Sequence, residues 1–171
     1  NITDFQIEGM SVGDSALDYY TESELNNLDR IDYLKDKEFW KITIDLEKSD
    51  YNSIGLTFEA NDEKYIIYAI NGAVYIDNNE QCLIKRNNII KQVSKMFKGA
   101  EKADAGKRNY AADPTGESKS YSTYYWIEGA FIEISCYDLA EKFANKKNWI
   151  KNTLNVGVAT KKFADFLLTK Q

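Results

Sequence analysis

The amino-acid sequence predicts an α+β fold, namely a largely antiparallel sheet packed against one long helix, with short N-terminal helical turns and a C-terminal helix. Three observations predict it. Apolar and polar residues alternate in several short runs, which is typical of half-buried strands. Tight-turn sequences join consecutive runs, and one segment has the periodicity of an amphipathic helix. Because 43% of the 171 residues are apolar, the chain can bury one core, and we predict a single domain over residues 1–171.

The N-terminal region is predicted to contain a short strand followed by two short helical turns. Residues 5–7 alternate apolar and polar side chains, and the Gly-Met-Ser at residues 9–11 ends the run. Asp14 is a candidate N-cap for the first helical turn. Thr21 followed three residues later by Glu24 has the pattern of a capping box, which predicts the start of the second.

Four strands are predicted in the next part of the chain, over residues 39–46, 54–58, 65–70 and 73–76. The last two flank Asn71-Gly72, a dipeptide that favours a type I′ turn because both of its positions need positive φ. We therefore predict a β-hairpin with its turn at these two residues.

The long helix is predicted over residues 79–97, with Gly99 as its C-terminal stop. Its apolar stripe consists of Cys82, Ile89, Ile90, Val93, Met96 and Phe97. A second stripe consists of Lys91, Lys95, Lys98 and Lys102. The lysines would form either a solvated face or a docking surface for an acidic partner.

The C-terminal half is predicted to contain a long loop, three strands and a final helix. Residues 98–118 have loop composition, and Asp113-Pro114-Thr115-Gly116 within them favours a hairpin tip. The predicted strands cover residues 121–127 and 131–137, which flank Glu128-Gly129, and residues 154–158, which follow an Asn/Lys-rich connector. The helix has an apolar stripe formed by Phe163, Phe166 and Leu167.

The absence of histidine limits the chemistry of this chain. It excludes Ser-His-Asp and Cys-His catalysis and an ordinary zinc site. The sequence also contains neither the glycine-lysine phosphate loop nor the Gly-x-Gly-x-x-Gly dinucleotide motif. We predict no metal and no cofactor.

The two cysteines, Cys82 and Cys136, both fall at predicted inward-facing positions. A bridge between them would link the long helix to the sheet and would favour an oxidising compartment. The alternative is two buried thiols in a cytosolic protein, because free cysteine is among the most buried residue types.

The charge distribution bears on possible partners. Residues 1–63 are strongly acidic, residues 64–171 are net basic, and the whole chain has a net charge of −5. Overall acidity and few arginines argue against nucleic acid. No apolar run reaches the length of a transmembrane segment. A protein or envelope component remains as a possible partner, and the sequence leaves the oligomeric state open.

Aromatic residues mark a candidate binding surface in the run Tyr121-Ser-Thr-Tyr-Tyr-Trp126. The candidates are Tyr121, Tyr124, Tyr125 and Trp126. Strand alternation would separate Tyr121 and Tyr125 from Tyr124 and Trp126, and one of these faces would be exposed to solvent as a recognition platform. The alternative is that aromatic residues are present because they are good strand formers.

Clustered carboxylates leave a hydrolase possible, since Asp and Glu alone can fill acid and base roles. The clusters are Asp14, Asp18, Glu22 and Glu24, and then Asp29, Asp32 and Asp36. The same residues are also typical of exposed helix and turn positions, and we assign no catalytic residue.

The stretch IEGMSVGDSALDYYTESEL resembles the opening of small exported bacterial proteins of the BamE and β-lactamase-inhibitor type. Together with YIIYAINGAVYI, QCLIKRNNI, ADPTGES and ISCYD, it also resembles uncharacterised exported proteins of AT-rich marine alphaproteobacteria. The resemblance implies a periplasmic or secreted address after signal-peptide removal, and it supplies no catalytic residues.

The function that we predict from the sequence is a non-catalytic exported domain. It would recognise a protein or envelope component through an aromatic sheet face or through the acidic N-terminal region. One alternative is a histidine-free hydrolase of glycoside-type substrates, which needs two carboxylates in a concave pocket. The other is a small-ligand carrier, which needs an enclosed apolar pocket.

Overall fold

The computed structural model describes residues 2–33 and 37–169. These residues form an α+β fold with four α-helices and an eight-stranded sheet of order β1-β2-β3-β4-β8-β7-β6-β5. The helices are α1 (Glu22–Asn26), α2 (Asn79–Met96), α3 (Glu141–Lys147) and α4 (Lys161–Thr169). The strands are β1 (Ile31–Asp32), β2 (Phe39–Asp45), β3 (Ser53–Glu59), β4 (Ala69–Tyr75), β5 (Glu101–Asn109), β6 (Lys119–Ile127), β7 (Ala130–Asp138) and β8 (Asn152–Thr160).

The chain divides into two compact units. The first unit comprises Asn1–Gly72, Glu128–Phe131 and Gly157–Gln171, and the second comprises Ala73–Ile127 and Ile132–Val156. Each has its own buried side chains.

In the first unit, β2 pairs antiparallel with both β1 and β3, and its consecutive residues Phe39 and Trp40 place an aromatic ring on each face. On one face, the Trp40 ring packs against Phe58, with 4.8 Å between the centroids. On the other face, Phe39 contacts Phe163 and Phe166 of α4, with centroids 5.1 and 5.0 Å away. The predicted stripe on the terminal helix is confirmed, because Phe163 and Phe166 are both buried.

In the second unit, a disulfide joins α2 to β7. The Cys82–Cys136 bond connects Cα atoms 6.0 Å apart, and both cysteines are fully buried. The predicted bridge between the long helix and the sheet is therefore present. The predicted bounds of the helix agree with α2 to within one residue, and Gly99 beyond its end has a φ of 88°.

The predicted hairpin at Asn71-Gly72 is wrong, because both residues lie inside β4. Gly72 is required for packing rather than for a turn. A Cβ atom at Gly72 would lie 2.3 Å from Cδ1 of Tyr51, so the Tyr51 ring rests directly on the glycine backbone. A residue brought in from a distant part of the chain determines this position, and local sequence patterns do not contain that information.

Two other local predictions are wrong. Residues 5–7 do not form a strand. Residues 2–4 instead form a short 3-10 helix, and Ile7 makes only an isolated bridge to Met10. Asp14 does not cap the first helical turn, because the hydroxyl of Ser15 accepts the N–H of Leu17 at its start. The capping box of Thr21 and Glu24 is confirmed at the start of α1.

The sequence also missed three regular elements, the first of which is the two-residue strand β1. The predicted loop over residues 98–118 contains β5, and the predicted Asn/Lys-rich connector contains α3. β5 is exposed along almost its whole length, so it has no alternating burial pattern to be recognised by. The hairpin tip at residues 113–116 and the turn at Glu128-Gly129 are confirmed, the latter with Gly129 at a φ of 78°.

Candidate binding surface

The four aromatic residues predicted as a binding surface lie on two faces of β6. Tyr125 is only 2% exposed, and its hydroxyl donates to the carbonyl oxygen of Ile90 on α2 at 3.1 Å. The same hydroxyl lies 2.8 Å from Oγ of Ser94. Tyr121 is half-buried and shares the α2-facing side of the strand by alternation. Tyr125 is therefore part of the contact with the helix rather than of an exposed surface.

A buried arginine reinforces the α2-facing side. Arg86, 6% exposed, donates from Nη2 to Oγ1 of Thr123 on β6 and to Oδ1 of Asp104 on β5, 3.1 Å away. The backbone N–H of Gly106 and the Arg86 charge hold the pKa of Asp104 below its usual value. Sequence reasoning missed Arg86, because a charged residue in a helix is usually exposed.

Tyr124 and Trp126 lie together on the opposite face of β6. Their ring centroids are 6.1 Å apart with an interplanar angle of 48°. Trp126 is 42% exposed and Tyr124 is half-buried. These two predicted residues are thus brought together, and Trp126 presents a large apolar surface to solvent.

Hydroxyl groups and one carboxylate continue this face onto β7. Oγ of Ser135 lies 2.7 Å from Oγ of Ser122 and 2.5 Å from Oε1 of Glu133. The hydroxyl of Tyr137 donates to the same Glu133 oxygen at 3.2 Å. Burial, followed by the nearby Glu133 charge, raises the pKa of Tyr137 well above its ordinary value. Tyr137 therefore stays a neutral hydrogen-bond donor to this carboxylate.

We call this surface the aromatic face and define it as Ser122, Tyr124 and Trp126 of β6 with Glu133, Ser135 and Tyr137 of β7. Sequence reasoning missed the three β7 residues. The signal was available in the alternation of the strand: Ile132, Ile134 and Cys136 lie on its fully buried side, so the residues between them point the other way.

Small side chains on β5 border the aromatic face. In the antiparallel register, Ala103 is opposite Tyr124, and Gly106 is opposite Ser122. Residues directly opposite each other in such a pair lie on the same face. Glu101 occupies the position opposite Trp126 and is exposed. The Trp126 ring therefore has a carboxylate next to it on β5.

At its other end the aromatic face continues into a chain of rings. Tyr137 contacts Tyr110 with centroids 5.4 Å apart, and Tyr110 contacts Phe143 of α3 at 6.2 Å. Phe143 in turn contacts Trp149 at 5.8 Å, and Trp149 is 46% exposed. These edge-to-face contacts hold α3 next to the β7 end of the surface.

Four of the acidic residues named as catalytic alternatives have hydrogen-bond or ion-pair partners, namely Asp14, Glu22, Glu24 and Asp32. Oδ2 of Asp14 accepts from the hydroxyl of Tyr19 at 3.0 Å. Glu24 accepts from the N–H of Thr21, which lowers its pKa. Asp32 pairs with Arg30, and Asp36 lies outside the described residues.

One open cavity of about 600 Å³ lies in the first unit. Its lining consists of Arg30, Lys37, Glu38, Glu59, Ala60 and Asn61. Contact with Lys162 holds the pKa of Glu59 below its ordinary value, which is the opposite of what a general acid needs. The lining is polar, whereas a carrier of apolar ligands needs an apolar wall.

The described residues contain neither a metal-ligand cluster nor a membrane-spanning helix. Within residues 2–33 and 37–169, no three Cys, Asp or Glu side chains converge as metal ligands would. None of the helices in the described part of the chain is both long and apolar enough to cross a membrane.

Comparison of the chain with models of known protein families, with curated proteins and with solved structures found no match.

Proposed function

We propose that this protein is a non-catalytic binding domain, exported to the periplasm or secreted, that recognises a protein partner through the aromatic face. The observation that carries the proposal is the Tyr124–Trp126 pair, which lies on the side of β6 away from α2 with Trp126 42% exposed. A ring that only packed in the core would be buried, as the Tyr125 ring is.

The composition of the aromatic face supports protein recognition. Tyr and Trp supply large, rigid contact area at a low cost in conformational entropy, and Ser supplies adaptable hydrogen bonds. Trp126 and Tyr124 supply such aromatic area, whereas Ser122 and Ser135 are buried and hydrogen-bonded to each other, so they hold the two strands rather than contact a partner. The recognition area of this face is therefore provided by its aromatic rings.

The supporting structure behind this face favours binding without large rearrangement. The opposite side of β6 and β7 is fixed to α2 by the disulfide, by Arg86 and by the hydroxyl of Tyr125. A surface held in its binding conformation loses less entropy when a partner docks.

The carboxylates indicate the kind of partner. Glu101 lies opposite Trp126 on β5, and Glu133 lies on β7 within the same face. A Lys or Arg side chain stacked on Trp126 would be attracted both by the ring and by these charges. The preferred partner is thus a protein segment with an exposed basic residue.

The disulfide supports export. It is compatible with an extracellular compartment, because such bonds persist in oxidising environments and are rare in the cytosol. The resemblance to exported proteins of marine alphaproteobacteria points to the same address. Both arguments bear on the cellular location of the protein. The kind of partner is inferred from the residues of the aromatic face.

Site-specific photo-crosslinking tests the proposal in cells that make the protein. A photoreactive amino acid replaces Ala103, which is exposed beside Tyr124, or Asn88, which is exposed on α2. We expect a discrete protein adduct from position 103 and none from position 88. Adding Trp126→Ala should remove the adduct, whereas Ile84→Ala, which trims an exposed α2 side chain, should leave it. Equal adducts from both positions, or an adduct that survives Trp126→Ala, would contradict the proposal.

A further inference from the structure

A lysine on β2 in the first unit has an unusual environment. Lys41 pairs with Ile31 on β1 and with Thr57 on β3 in the antiparallel register, so these side chains lie beside it on one face. Phe39, two residues away on the same face, belongs to the buried cluster under α4. The lysine therefore extends from the edge of an apolar cluster.

The side chain of Lys41 lies directly over Gly55. A Cβ atom at Gly55 would be 2.3 Å from Cε and 2.8 Å from Nζ of Lys41. Oδ1 of Asn71 would be 2.5 Å from the same point. Only glycine leaves this space, so the lysine is held against the sheet rather than extended into water.

Lys41 has no acidic partner among the described residues. No carboxylate there lies within ion-pair distance of its amine, and burial lowers its pKa. Two acids share its face of the sheet. Glu59 accepts hydrogen bonds from the amine of Lys162 and from the hydroxyl of Tyr68. Asp45 lies at the far end of β2, opposite Ser53.

Hydroxyl groups lie on the same part of the face. Thr57, directly opposite Lys41, has its Oγ1 3.4 Å from the hydroxyl of Tyr33. Burial raises the pKa of Tyr33, so this phenol stays protonated. An oxygen formed next to Lys41 would have hydroxyl groups nearby that can donate to it.

We propose that Lys41 is a nucleophilic site that condenses with small aldehydes. The neutral amine attacks the carbonyl carbon, and a C–N bond forms as the C=O π electrons move to oxygen. Proton transfer from nitrogen to oxygen gives a carbinolamine. Loss of that oxygen as water, with the remaining N–H proton, gives an imine. The step needs only the amine and the aldehyde, and desolvated lysines are the ones that perform it in proteins.

Reductive alkylation measures this reactivity directly. The intact protein is treated with propionaldehyde and sodium cyanoborohydride at pH 7, and propylation of each lysine is followed by peptide mass spectrometry. Lys91 and Lys142, both exposed, are internal controls. We expect Lys41 to be propylated several-fold faster than either. A Lys41 rate equal to or below theirs would overturn the proposal.

The pH dependence gives a second test without any substitution. The propylation rate of Lys41 should level off at a lower pH than that of Lys91, because the neutral amine of Lys41 is populated at a lower pH. Parallel profiles for the two lysines would overturn the proposal.

A matched variant addresses the role of Gly55. Gly55→Ala should displace the Lys41 side chain and bring its rate down to that of Lys91, while circular dichroism reports whether the fold persists. Unchanged Lys41 reactivity in folded Gly55→Ala protein would contradict the stated geometry. Lys41→Arg should remove the fast-reacting site and leave the Lys91 and Lys142 rates unchanged. A fast site that persists in this variant would overturn the assignment.

Discussion

The long helix of the second unit and the C-terminal helix of the first are held to their strands by different interactions. Of the 18 residues of α2, only Cys82, Arg86 and Val93 are buried. The first forms a disulfide and the second a polar network. In contrast, α4 has nine residues and buries two phenylalanine rings against Phe39.

This difference teaches that helix length does not determine how a helix is held. A long helix with little apolar surface facing the sheet gains little from the hydrophobic effect, so covalent and polar links must hold it. A short helix with two buried rings is held mainly by packing, to which the ion pair of Lys162 with Glu59 is added. The second unit should therefore depend on oxidation and pH, and the first on side-chain volume.

Removal of the disulfide should have the largest effect. The double substitution Cys82→Ala/Cys136→Ala opens a loop with a sequence separation of 54 residues. The chain-entropy model gives a loss of about 4 kcal/mol in the free energy of unfolding. Urea unfolding of the variant and of the wild type, each with and without dithiothreitol, measures it. A wild-type curve unchanged by the reductant would contradict the account.

Truncation of a ring under α4 should come next. Phe163 is 4% exposed, and Phe163→Ala leaves a cavity that costs about 3 kcal/mol of unfolding free energy. Leu168→Ala on the same helix is the control, because Leu168 is 72% exposed, and it should cost less than about 0.5 kcal/mol. Similar losses in the two variants would show that α4 is not held by these rings.

Gly72→Ala tests the corrected assignment of Asn71-Gly72. The new methyl group would meet the Tyr51 ring at 2.3 Å, and overpacking of this kind costs about 2 kcal/mol. In a Tyr51→Ala background the same substitution should cost clearly less, as a double-mutant cycle by urea unfolding would measure. An equal loss of unfolding free energy in both backgrounds would mean that the Tyr51 ring does not cause the destabilisation, and would assign it to the backbone instead.

Substitution of Asp113 should have the smallest effect on the free energy of unfolding. It tests the pH dependence of stability in the second unit. Oδ2 of Asp113 accepts from the hydroxyl and N–H of Ser118, and Oδ1 accepts from those of Thr115. These bonds, first the one from the Ser118 hydroxyl, hold its pKa far below the ordinary value.

The direction of the pH effect on stability follows from the linkage between protonation and folding. A lowered folded-state pKa stabilises the protein above the unfolded pKa of about 3.9, and this contribution is lost as the pH falls further. Wild-type stability should therefore fall more steeply between about pH 5 and pH 3 than that of Asp113→Asn. Urea unfolding at several pH values measures this slope. Equal slopes would mean that Asp113 does not titrate with folding.

The sequence predicted elements whose side chains alternate between a buried and an exposed face. The disulfide partners, α2 and β7 follow from such patterns. β5 could not be predicted, because both of its faces are exposed and no period of two appears. Gly72 was misassigned because the ring that requires it comes from another part of the chain.

The candidate surface was half predictable. Tyr124 and Trp126 were named, and alternation correctly separated them from Tyr121 and Tyr125. Which side was exposed depended on the location of α2, and that is a tertiary contact. The buried Arg86 shows the same limit, because its partners Thr123 and Asp104 are distant in the sequence.

Hydrogen exchange of the oxidised and reduced protein tests the contrast between the two helices most directly. Mass spectrometry of peptides covering α2 and α4 would report their amide protection with and without dithiothreitol. We expect reduction to lower the protection of α2 strongly and to leave that of α4 unchanged. Equal loss of protection in both helices, or no loss in α2, would contradict the account.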